Sequence, residues 1–283
     1  MALAVVGFTV LSIQLLFFTL FLLAFHRKAT VSPQLPRPVS IIVCAHDEEQ
    51  NLRELVPLLL QQDHPQFEVI VVEDRCNDGT YDFLLQATKE NALLRMVRVV
   101  NKPEHVNGKK YALTLGIKAA KYDRVLLTDA DCRPVSVQWA REMSCWYLPE
   151  TIFVLGFSPY RKSSSLLNAF IRFESTLTGI QMVGMAMLGK PYMGLGRNLL
   201  YEKKVFLENK GFNQHLEVTG GDDDLFINQH ATRHNTLVKL GTGATTVSAP
   251  KKTWHEYFHQ KVRHLSVGKR YQFSDKMILG LFS

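Results

Sequence analysis

From residue 39 onward, short apolar runs alternate with stretches whose apolar residues recur every three or four positions. Four runs rich in β-branched residues predict strands buried on both faces: "VSIIVCAH", "FEVIVVED", "LRMVRVV" and "RVLLTDAD". The stretches between them predict helices: "NLRELVPLLLQQ", "YDFLLQATKEN" and "KKYALTLGIKAAK". Pro57, in the first of these helices, fits only an early turn or a kink. The alternation predicts an α/β fold whose mainly parallel central sheet is flanked by helices.

The first 25 residues contain no charged side chain. As a helix they would be roughly 37 Å long, enough to cross the ~30 Å hydrocarbon core of a membrane. A cleaved signal peptide would need a basic start, a shorter apolar core and a small-residue cleavage site, and this stretch shows none of them. We therefore predict a transmembrane helix at 1–25, followed at 26–38 by a linker that carries three prolines.

The residues that flank the apolar segment indicate its orientation. Arg27 and Lys28 follow it directly, and Lys/Arg flanks tend to stay in the cytoplasm. The four cysteines form no CxxC pair, which agrees with a reducing compartment and gives no zinc pattern. We predict a protein of the inner (cytoplasmic) membrane whose catalytic domain faces the cytoplasm.

The charge of the chain is moderately basic, with a net charge of +7. The basic residues do not form the aromatic-interleaved patch of a nucleic-acid binder, so no nucleic-acid partner is expected. They are dense between His259 and Arg270, which indicates contact with a membrane surface or with an anionic ligand.

Acidic residues follow three of the predicted strands, in "AHDEEQN", "EDRCNDGT" and "DADCRP". In a parallel sheet these strand ends meet in one crevice, which suits a hydrogen-bonding ligand together with a divalent cation. Strand alternation would place Asp129 and Asp131 on one face, about 6.5–7 Å apart. The alternative is a turn at the end of the strand, where aspartate is common.

Two nucleotide-binding motifs are excluded. The position after the first strand holds "CAHDEE" where a dinucleotide fold would have GxGxxG. The stretch "GMAMLGKP" follows the P-loop pattern as far as its lysine, but Pro191 stands where the magnesium-binding Ser or Thr would be.

Five segments in order resemble the family 2 glycosyltransferases with a GT-A nucleotide-diphospho-sugar transferase fold, including the cellulose- and hyaluronan-synthase-like membrane enzymes. They are "VSIIVCAHDEEQNL", "VIVVEDRCNDGT", "NGKKYALTLGI", "LLTDADCRP" and "GGDDDLFINQ", followed by "QKVRH" near the family's QxxRW motif. The resemblance covers roughly residues 39–270. It implies an enzyme that uses a nucleotide-sugar donor.

The resemblance implies a nucleotide site at the ends of the first two strands. By it, Asp74 hydrogen-bonds the nucleotide base, which favours uracil, and Lys109 approaches the nucleotide. The loop after the first strand would cradle base and ribose with Ala45, His46 and Glu48. For Glu48 a first-turn helix charge, and for Lys109 a solvated surface position, remain as alternatives.

By the same resemblance, Asp129 contacts the nucleoside and Asp131 coordinates Mg²⁺ or Mn²⁺ on the diphosphate. Carboxylate oxygens suit these hard cations. The cation would neutralise charge on the leaving nucleoside diphosphate.

The acidic motif "GGDDDLFINQ" offers the base for the acceptor hydroxyl. One alignment with the family's EDxxL motif makes Asp222 the base, which we slightly prefer, and another makes Asp223 the base. The alternative is a helix start, where acidic side chains stabilise the helix dipole.

Other positions that match the family's motifs are assigned to the acceptor and the diphosphate. Arg197 and Asn198 would donate hydrogen bonds in a glycine-rich segment. Gln260 and Arg263 match QxxRW, and Arg263 would pair with the diphosphate. His264 replaces the tryptophan of that motif and leaves stacking on the acceptor open.

The sequence therefore predicts both the boundaries of four segments of the chain and an activity. We expect a transmembrane helix at 1–25, a linker at 26–38, a GT-A domain at 39–250 and an amphipathic membrane-interface segment at 251–283. The predicted activity is inverting, metal-dependent transfer from a nucleotide sugar, with a UDP-sugar preferred, to a lipid or cell-surface glycan. The alternatives are a polyprenyl-phosphate sugar transferase and a non-catalytic nucleotide-binding scaffold.

Overall fold

The computed structural model describes residues 2–26, 34–145, 148, 150–212, 220–221 and 223–282. Its strands are β1 Val39–Ala45, β2 Phe67–Asp74, β3 Leu94–Val99, β4 Arg124–Asp129, β5 Cys132–Pro134, β6 Phe153–Gly156, β7 Leu199–Glu202, β8 Thr236–Lys239 and β9 Thr246–Ser248. Its helices are α1 Ala2–His26, α2 Glu49–Leu60, α3 Thr80–Glu90, α4 Gly108–Ala119, α5 Trp139–Cys145, α6 Leu166–Met187, α7 Lys203–Glu208, α8 Asp224–His230, α9 Trp254–Gly268 and α10 Phe273–Phe282.

A seven-stranded sheet with the order β3-β2-β1-β4-β7-β6-β8 forms the centre of the fold. The first four strands in that order are parallel, with Ile42 of β1 paired to Ile70 of β2 and to Leu127 of β4. The predicted mainly parallel sheet is therefore confirmed. The pattern did not show that β7 runs antiparallel to both of its neighbours.

Helices cover both faces of the sheet because alternate strand residues point to opposite sides. On one face, Ile41 and Val43 pack with α2, α3 and α5. On the other face, Ile42 packs with α4, α7 and α8. Helix α2 continues through Pro57 and ends three residues later. The carboxyl ends of β1, β2 and β4 stay uncovered by these layers and meet at one edge.

The N-terminal helix is long and apolar enough to cross a membrane over Gly7–His26, with a mean hydropathy of 2.3 and few buried residues. Its last turns pack against α6 and α10. At the α6 contact Phe21 lies so close to Gly184 that a Cβ there would be 2.4 Å from the Phe21 ring. Glycine at 184 thus allows α1 to approach α6. The predicted linker at 26–38 lies mostly outside the described residues.

Candidate active site

A cavity of about 760 Å³ lies at the carboxyl edge of the sheet. One wall, which we call the strand-end wall, is formed by the ends of β1, β2 and β4 and the start of α4. The opposite wall, which we call the helical wall, is formed by α6, α9 and α10. The cavity is lined by these residues predicted from the sequence: His46, Asp74, Lys109, Asp129, Arg197, Asp223, Gln260, Arg263 and His264.

Asp74, the last residue of β2, faces the cavity with its carboxylate already paired. Arg75 donates to both oxygens, from Nε to Oδ1 at 2.8 Å and from Nη2 to Oδ2 at 3.1 Å. A Cβ at Gly108 would lie 2.7 Å from Nη2 of Arg75, so a larger residue there would displace the end of the arginine side chain. Arg75 was not predicted from the sequence, and its φ of +54° is unusual for a residue other than glycine.

The loop after β1 is tied to the end of β2. Nδ1 of His46 lies 2.6 Å from the carbonyl oxygen of Asp74, and because a carbonyl only accepts, this nitrogen is the donor. Ala45 is buried, and its carbonyl accepts from the thiol of Cys76 at 3.4 Å. The Ala45 side chain therefore packs in the core, and the methyl group is not in the lining of the cavity.

Glu48 lies near the acidic pair of β4. Burial raises the pKa of Glu48, and the charges of Asp131 and Asp129 raise it further, while a hydrogen bond from Asn51 at 2.6 Å opposes the shift. Glu48 thus interacts electrostatically with the predicted metal site.

The end of β4 determines how Asp129 and Asp131 are placed. Strand β4 ends at Asp129, and Asp131 lies in the turn that follows. This turn brings ligand atoms of the two carboxylates and of Cys132 within 4.8 Å of one another. Strand alternation therefore does not extend to Asp131, and the structure shows the alternative, a turn at the end of the strand.

The two carboxylates differ in their proton affinity. Burial raises the pKa of Asp129, but Lys109, at 2.9 Å, and Arg197 outweigh this effect and leave the pKa lowered. Burial, and then the charge of Asp129, raise the pKa of Asp131. A cation bound beside Asp131 would relieve the repulsion between the Asp129 and Asp131 carboxylates.

The donor set fits a hard divalent cation. Two carboxylates within reach of one ion, beside a cavity that can hold a diphosphate, are ligands suited to Mg²⁺ or Mn²⁺. The thiol of Cys132 is buried, and burial raises its pKa strongly. It therefore stays protonated and is a poor ligand for these ions.

Arg197 and Asn198 are neighbours with different environments. The guanidinium of Arg197 lies 4.5 Å from the centre of the Tyr160 ring and lines the cavity, and its Nε makes no hydrogen bond to the described residues. Asn198 is fully buried: it accepts from Nε1 of Trp139 at 2.9 Å and donates to two backbone carbonyls. The expectation that Asn198 donates to a ligand is corrected, because the core uses both of its amide hydrogens.

The acidic motif before α8 is partly described. Asp223 caps α8: it accepts from the backbone N–H of Asp224 at 2.9 Å and from that of Gly196. Asp223 also lines the cavity. Asp222, the other candidate base, lies outside the described residues. The helix-start interpretation therefore applies to Asp223, which keeps its position facing the cavity.

Helix α9 brings the QxxRW-like residues to the helical wall. Gln260, Arg263 and His264 all line the cavity. Partial desolvation between the walls, and then the charges of Arg263 and Lys261, lower the pKa of His264 to about 4. The imidazole is therefore neutral near pH 7.

An ion pair that the sequence analysis missed joins α6 to α9. Lys261 donates to Oε1 of Glu174, and both residues line the cavity. The two residues are 87 positions apart. Lys261 lies between the two predicted motif residues Gln260 and Arg263, but nothing in the sequence identifies its partner.

A sequence model described as glycosyl transferase family 2 matches residues 40–168. The chain is 24% identical over 242 residues to the probable glycosyltransferase YdaM of Bacillus subtilis (strain 168), covering 81% of this chain and 54% of that protein. It is 27% identical over 93 residues to the poly-beta-1,6-N-acetyl-D-glucosamine synthase of Staphylococcus epidermidis, covering 33% of this chain and 21% of the synthase. The chain thus spans about half the length of the first relative.

Solved structures share the fold at low sequence identity. The mannosyltransferase PcManGT from Pyrobaculum calidifontis, in complex with GDP-Man and Mn²⁺, superposes with a TM-score of 0.70 at 20% identity, covering 96% of this chain and 79% of that one. S. aureus TarS 1-349, in complex with UDP-GlcNAc, gives 0.50 at 16% identity, covering 78% and 61%. Residues 40–168 thus match glycosyl transferase family 2, and the chain shares the GT-A fold of these solved glycosyltransferases.

Proposed function

We propose that this chain is an inverting glycosyltransferase that moves a sugar from a nucleotide-sugar donor to an acceptor at a membrane. The observation that carries the proposal is the acidic pair Asp129 and Asp131, held at the carboxyl edge of a parallel sheet beside the paired carboxylate of Asp74. Inverting transfer in one displacement needs positioning and charge stabilisation more than covalent chemistry. This site supplies both.

The strand-end wall would bind the nucleotide. The Asp74 carboxylate accepts a hydrogen bond from a ring N–H, and Arg75 donates beside it, so this pair suits a base with adjacent N–H and carbonyl groups. Uracil, thymine and guanine have such an edge. We propose a UDP-sugar first. The GDP-Man complex of PcManGT and the UDP-GlcNAc complex of TarS support a nucleotide-sugar donor of this kind.

Asp131 and Asp129 would hold the divalent cation. When bound, the cation stabilises negative charge on the departing diphosphate. Lys109 holds Asp129 ionised by direct pairing, and Arg197 faces the same region with an Nε that makes no hydrogen bond within the described part of the chain. Arg263 adds a third cationic side chain to the lining, so a diphosphate would meet positive charge from both walls.

The acceptor hydroxyl needs a base on the side opposite the leaving group. We propose Asp222 or Asp223 for this role. The position of Asp223 in the lining supports the motif, and its carboxylate already accepts hydrogen bonds from two backbone N–H groups. We propose a lipid or cell-surface glycan as acceptor, supported by the relative that is a poly-beta-1,6-N-acetyl-D-glucosamine synthase and by the apolar helix α1.

Two other functions use the same donor site. A polyprenyl-phosphate sugar transferase would differ only in its acceptor, and a nucleotide-binding scaffold would bind the donor without turnover. The test is nucleotide release from UDP-, GDP- and dTDP-sugars by the full chain in nanodiscs, with Mn²⁺ or with EDTA. Release from one donor that EDTA abolishes supports the transferase. Metal-dependent binding without release, in the presence of membrane lipids and glycan acceptors, would favour the scaffold.

A further inference from the structure

Both walls of the cavity carry charged side chains, among them Lys261 and Arg263 on the helical wall, but the helical wall also presents an apolar surface. The strand-end wall presents charged groups, among them Asp74, Lys109 and Asp129. The inner face of α6 presents Ile171, Ser175, Thr178 and Met182, at a spacing of four, three and four residues that puts them on one side of the helix. Leu265 of α9 and Leu279 of α10 continue this surface. We call the space between α6, α9 and α10 the helical arm of the cavity.

The same three helices carry apolar side chains on their outer faces. Each stripe has helical spacing, and its side chains are between 38% and 82% exposed. The stripes are Leu166, Phe170, Phe173 and Leu177 on α6, Trp254, Phe258, Val262 and Leu265 on α9, and Phe273, Met277 and Leu281 on α10. The α6 and α9 stripes meet where the rings of Phe170 and Trp254 are 5.6 Å apart. An exposed apolar surface of this extent indicates a binding face.

Two observations identify a bilayer as the partner of this face. Helix α1, the candidate membrane span, packs directly on α6 and α10, and Leu279 contacts the cluster that contains Phe17 and Phe21 of α1. Exposed cations also flank each stripe, which suits anionic lipid headgroups. They are Arg161 and Lys162 before α6, Lys251 and Lys252 before α9, and Lys269 and Arg270 between α9 and α10.

Leu265 and Leu279 connect the outer surface to the cavity. Leu265 is 74% exposed in the α9 stripe and also lines the cavity. Leu279 lines the cavity and packs beside α1. The helical arm therefore opens where the three stripes would enter the bilayer.

We propose that the acceptor is an amphiphile drawn from the bilayer, whose apolar tail occupies the helical arm while its polar end meets the donor sugar. This inference rests on the proposed function and narrows its acceptor from a lipid or glycan to a lipid-linked molecule. The ion pair of Glu174 and Lys261 lies in the wall of the arm, where the polar end of such a molecule would pass. A water-soluble acceptor would have no use for this opening.

The test uses the full chain in nanodiscs of phosphatidylglycerol and phosphatidylcholine that contain an alkyl phosphate with a diazirine at its tail end. After irradiation, mass spectrometry locates the adducts. We expect adducts in the arm, on Met182 and Leu279, as well as on the outer stripes. Thr178→Trp, which fills the arm, should lower the arm adducts about tenfold, the loss that follows when roughly two methylene groups are denied burial.

Thr176→Trp is the matched control, because Thr176 is exposed on the same helix and is not in the lining of the cavity. It should leave the arm adducts at the level of the unaltered chain. Ser175→Trp is a second filling variant in case Thr178→Trp does not fold, as judged by thermal unfolding. Adducts confined to the outer stripes, or arm adducts equal in all variants, would overturn the inference.

Nucleotide binding measured in the same nanodiscs separates this inference from the proposed function. Mn²⁺-dependent binding of UDP or GDP without arm adducts would support the proposed donor site and contradict the inference that the acceptor comes from the bilayer. Absence of nucleotide binding contradicts the proposed function itself, whatever the probe labels.

Discussion

The strand-end wall and the helical wall enclose one cavity but are held together by different contacts. In the strand-end wall, charged groups pair over short distances in the sequence: Arg75 with Asp74, and Lys109 with Asp129, 20 residues away. In the helical wall, the ion pair spans 87 residues, and most other contacts are apolar. Ion pairs of the first wall thus join residues that are near in the sequence, and the second wall joins helices that are far apart in the sequence.

The two walls are therefore expected to have different roles: the strand-end wall carries groups of the proposed reaction, and the helical wall controls how the acceptor reaches them. Substitutions in the strand-end wall change charges beside the proposed nucleotide and cation, so they should alter turnover while the fold persists. Substitutions in the helical wall change the packing and openness of the arm, so they should alter how the acceptor reaches the site. The following predictions test this division, beginning with the largest expected effect.

Asp131→Asn should lower Mn²⁺-dependent nucleotide release by about 10²–10³-fold, the size of effect seen when one electrostatic stabiliser of a transition state is removed. The free energy of unfolding should not fall, because the charge of Asp129 raises the pKa of Asp131 and the substitution removes that repulsion. Release assays and thermal unfolding in parallel check both parts. Asp82→Asn, on the exposed side of α3, is the matched control. Unchanged release would exclude Asp131 from the mechanism.

His64 is not in the lining of the cavity, and its titration should make the free energy of unfolding depend on pH. It is 8% exposed, accepts from the N–H of Gln66 at 3.1 Å and lies 2.9 Å from Oγ of Ser144. Burial lowers its pKa to about 4 from an ordinary value of 6.5. The unfolded chain therefore binds the proton first, so His64 contributes stability above pH 6.5 that is lost as the pH falls to 4.

The full contribution of His64 is about 3 kcal/mol, because each pKa unit corresponds to about 1.4 kcal/mol. The measurement is urea unfolding in detergent from pH 7 to pH 4, for the unaltered chain and for His64→Asn. The difference between the two should shrink toward pH 4. Carboxylates titrate in both proteins and cancel in the comparison. A constant difference would show that His64 is already protonated in the folded state at pH 7 or that its burial costs nothing.

The strand-end wall was predictable because its information is local. Apolar runs, helical spacing and acidic strand ends indicated the parallel strands and placed Asp129 and Asp131 at one edge. The turn after β4 was predicted only as the alternative to a strand that continues to Asp131. Arg75 was missed because an arginine at φ +54° has no periodic signal.

The helical wall was not predictable in the same way. The sequence predicted an amphipathic segment at 251–283, but the stripe on α6 and the ion pair between Glu174 and Lys261 depend on how distant segments pack. Asn198 illustrates the same limit. Its position in a glycine-rich segment suggested a ligand donor, yet Trp139, 59 residues away, uses it as a core partner.

Asp74→Asn should weaken UDP or GDP binding by roughly 10–100-fold, as expected for a lost hydrogen bond to a charged group. Asp78→Asn is the matched control, because Asp78 accepts from the N–H groups of Thr80 and Glu49 at 3.0 and 3.1 Å and is not in the lining of the cavity. Because an asparagine keeps only one acceptor oxygen, the control should lower stability by ~1 kcal/mol, the size of one lost hydrogen bond, and leave nucleotide affinity nearly unchanged. Isothermal titration and thermal unfolding measure the two. Equal losses of affinity would mean that the loop, not the carboxylate, governs binding.

The ion pair of Glu174 and Lys261 should give the smallest effect. Because both side chains are partly exposed, at 31% and 24%, a double-mutant cycle with Glu174→Gln and Lys261→Gln should yield a coupling of about 0.2–1 kcal/mol. The coupling should also fall in 1 M salt. Arg53 and Glu49, an exposed pair on α2, provide a reference cycle of similar size. A coupling well above the reference would mean that charge pairing holds the helical wall as it holds the strand-end wall. A small coupling leaves apolar packing as the main force between α6 and α9.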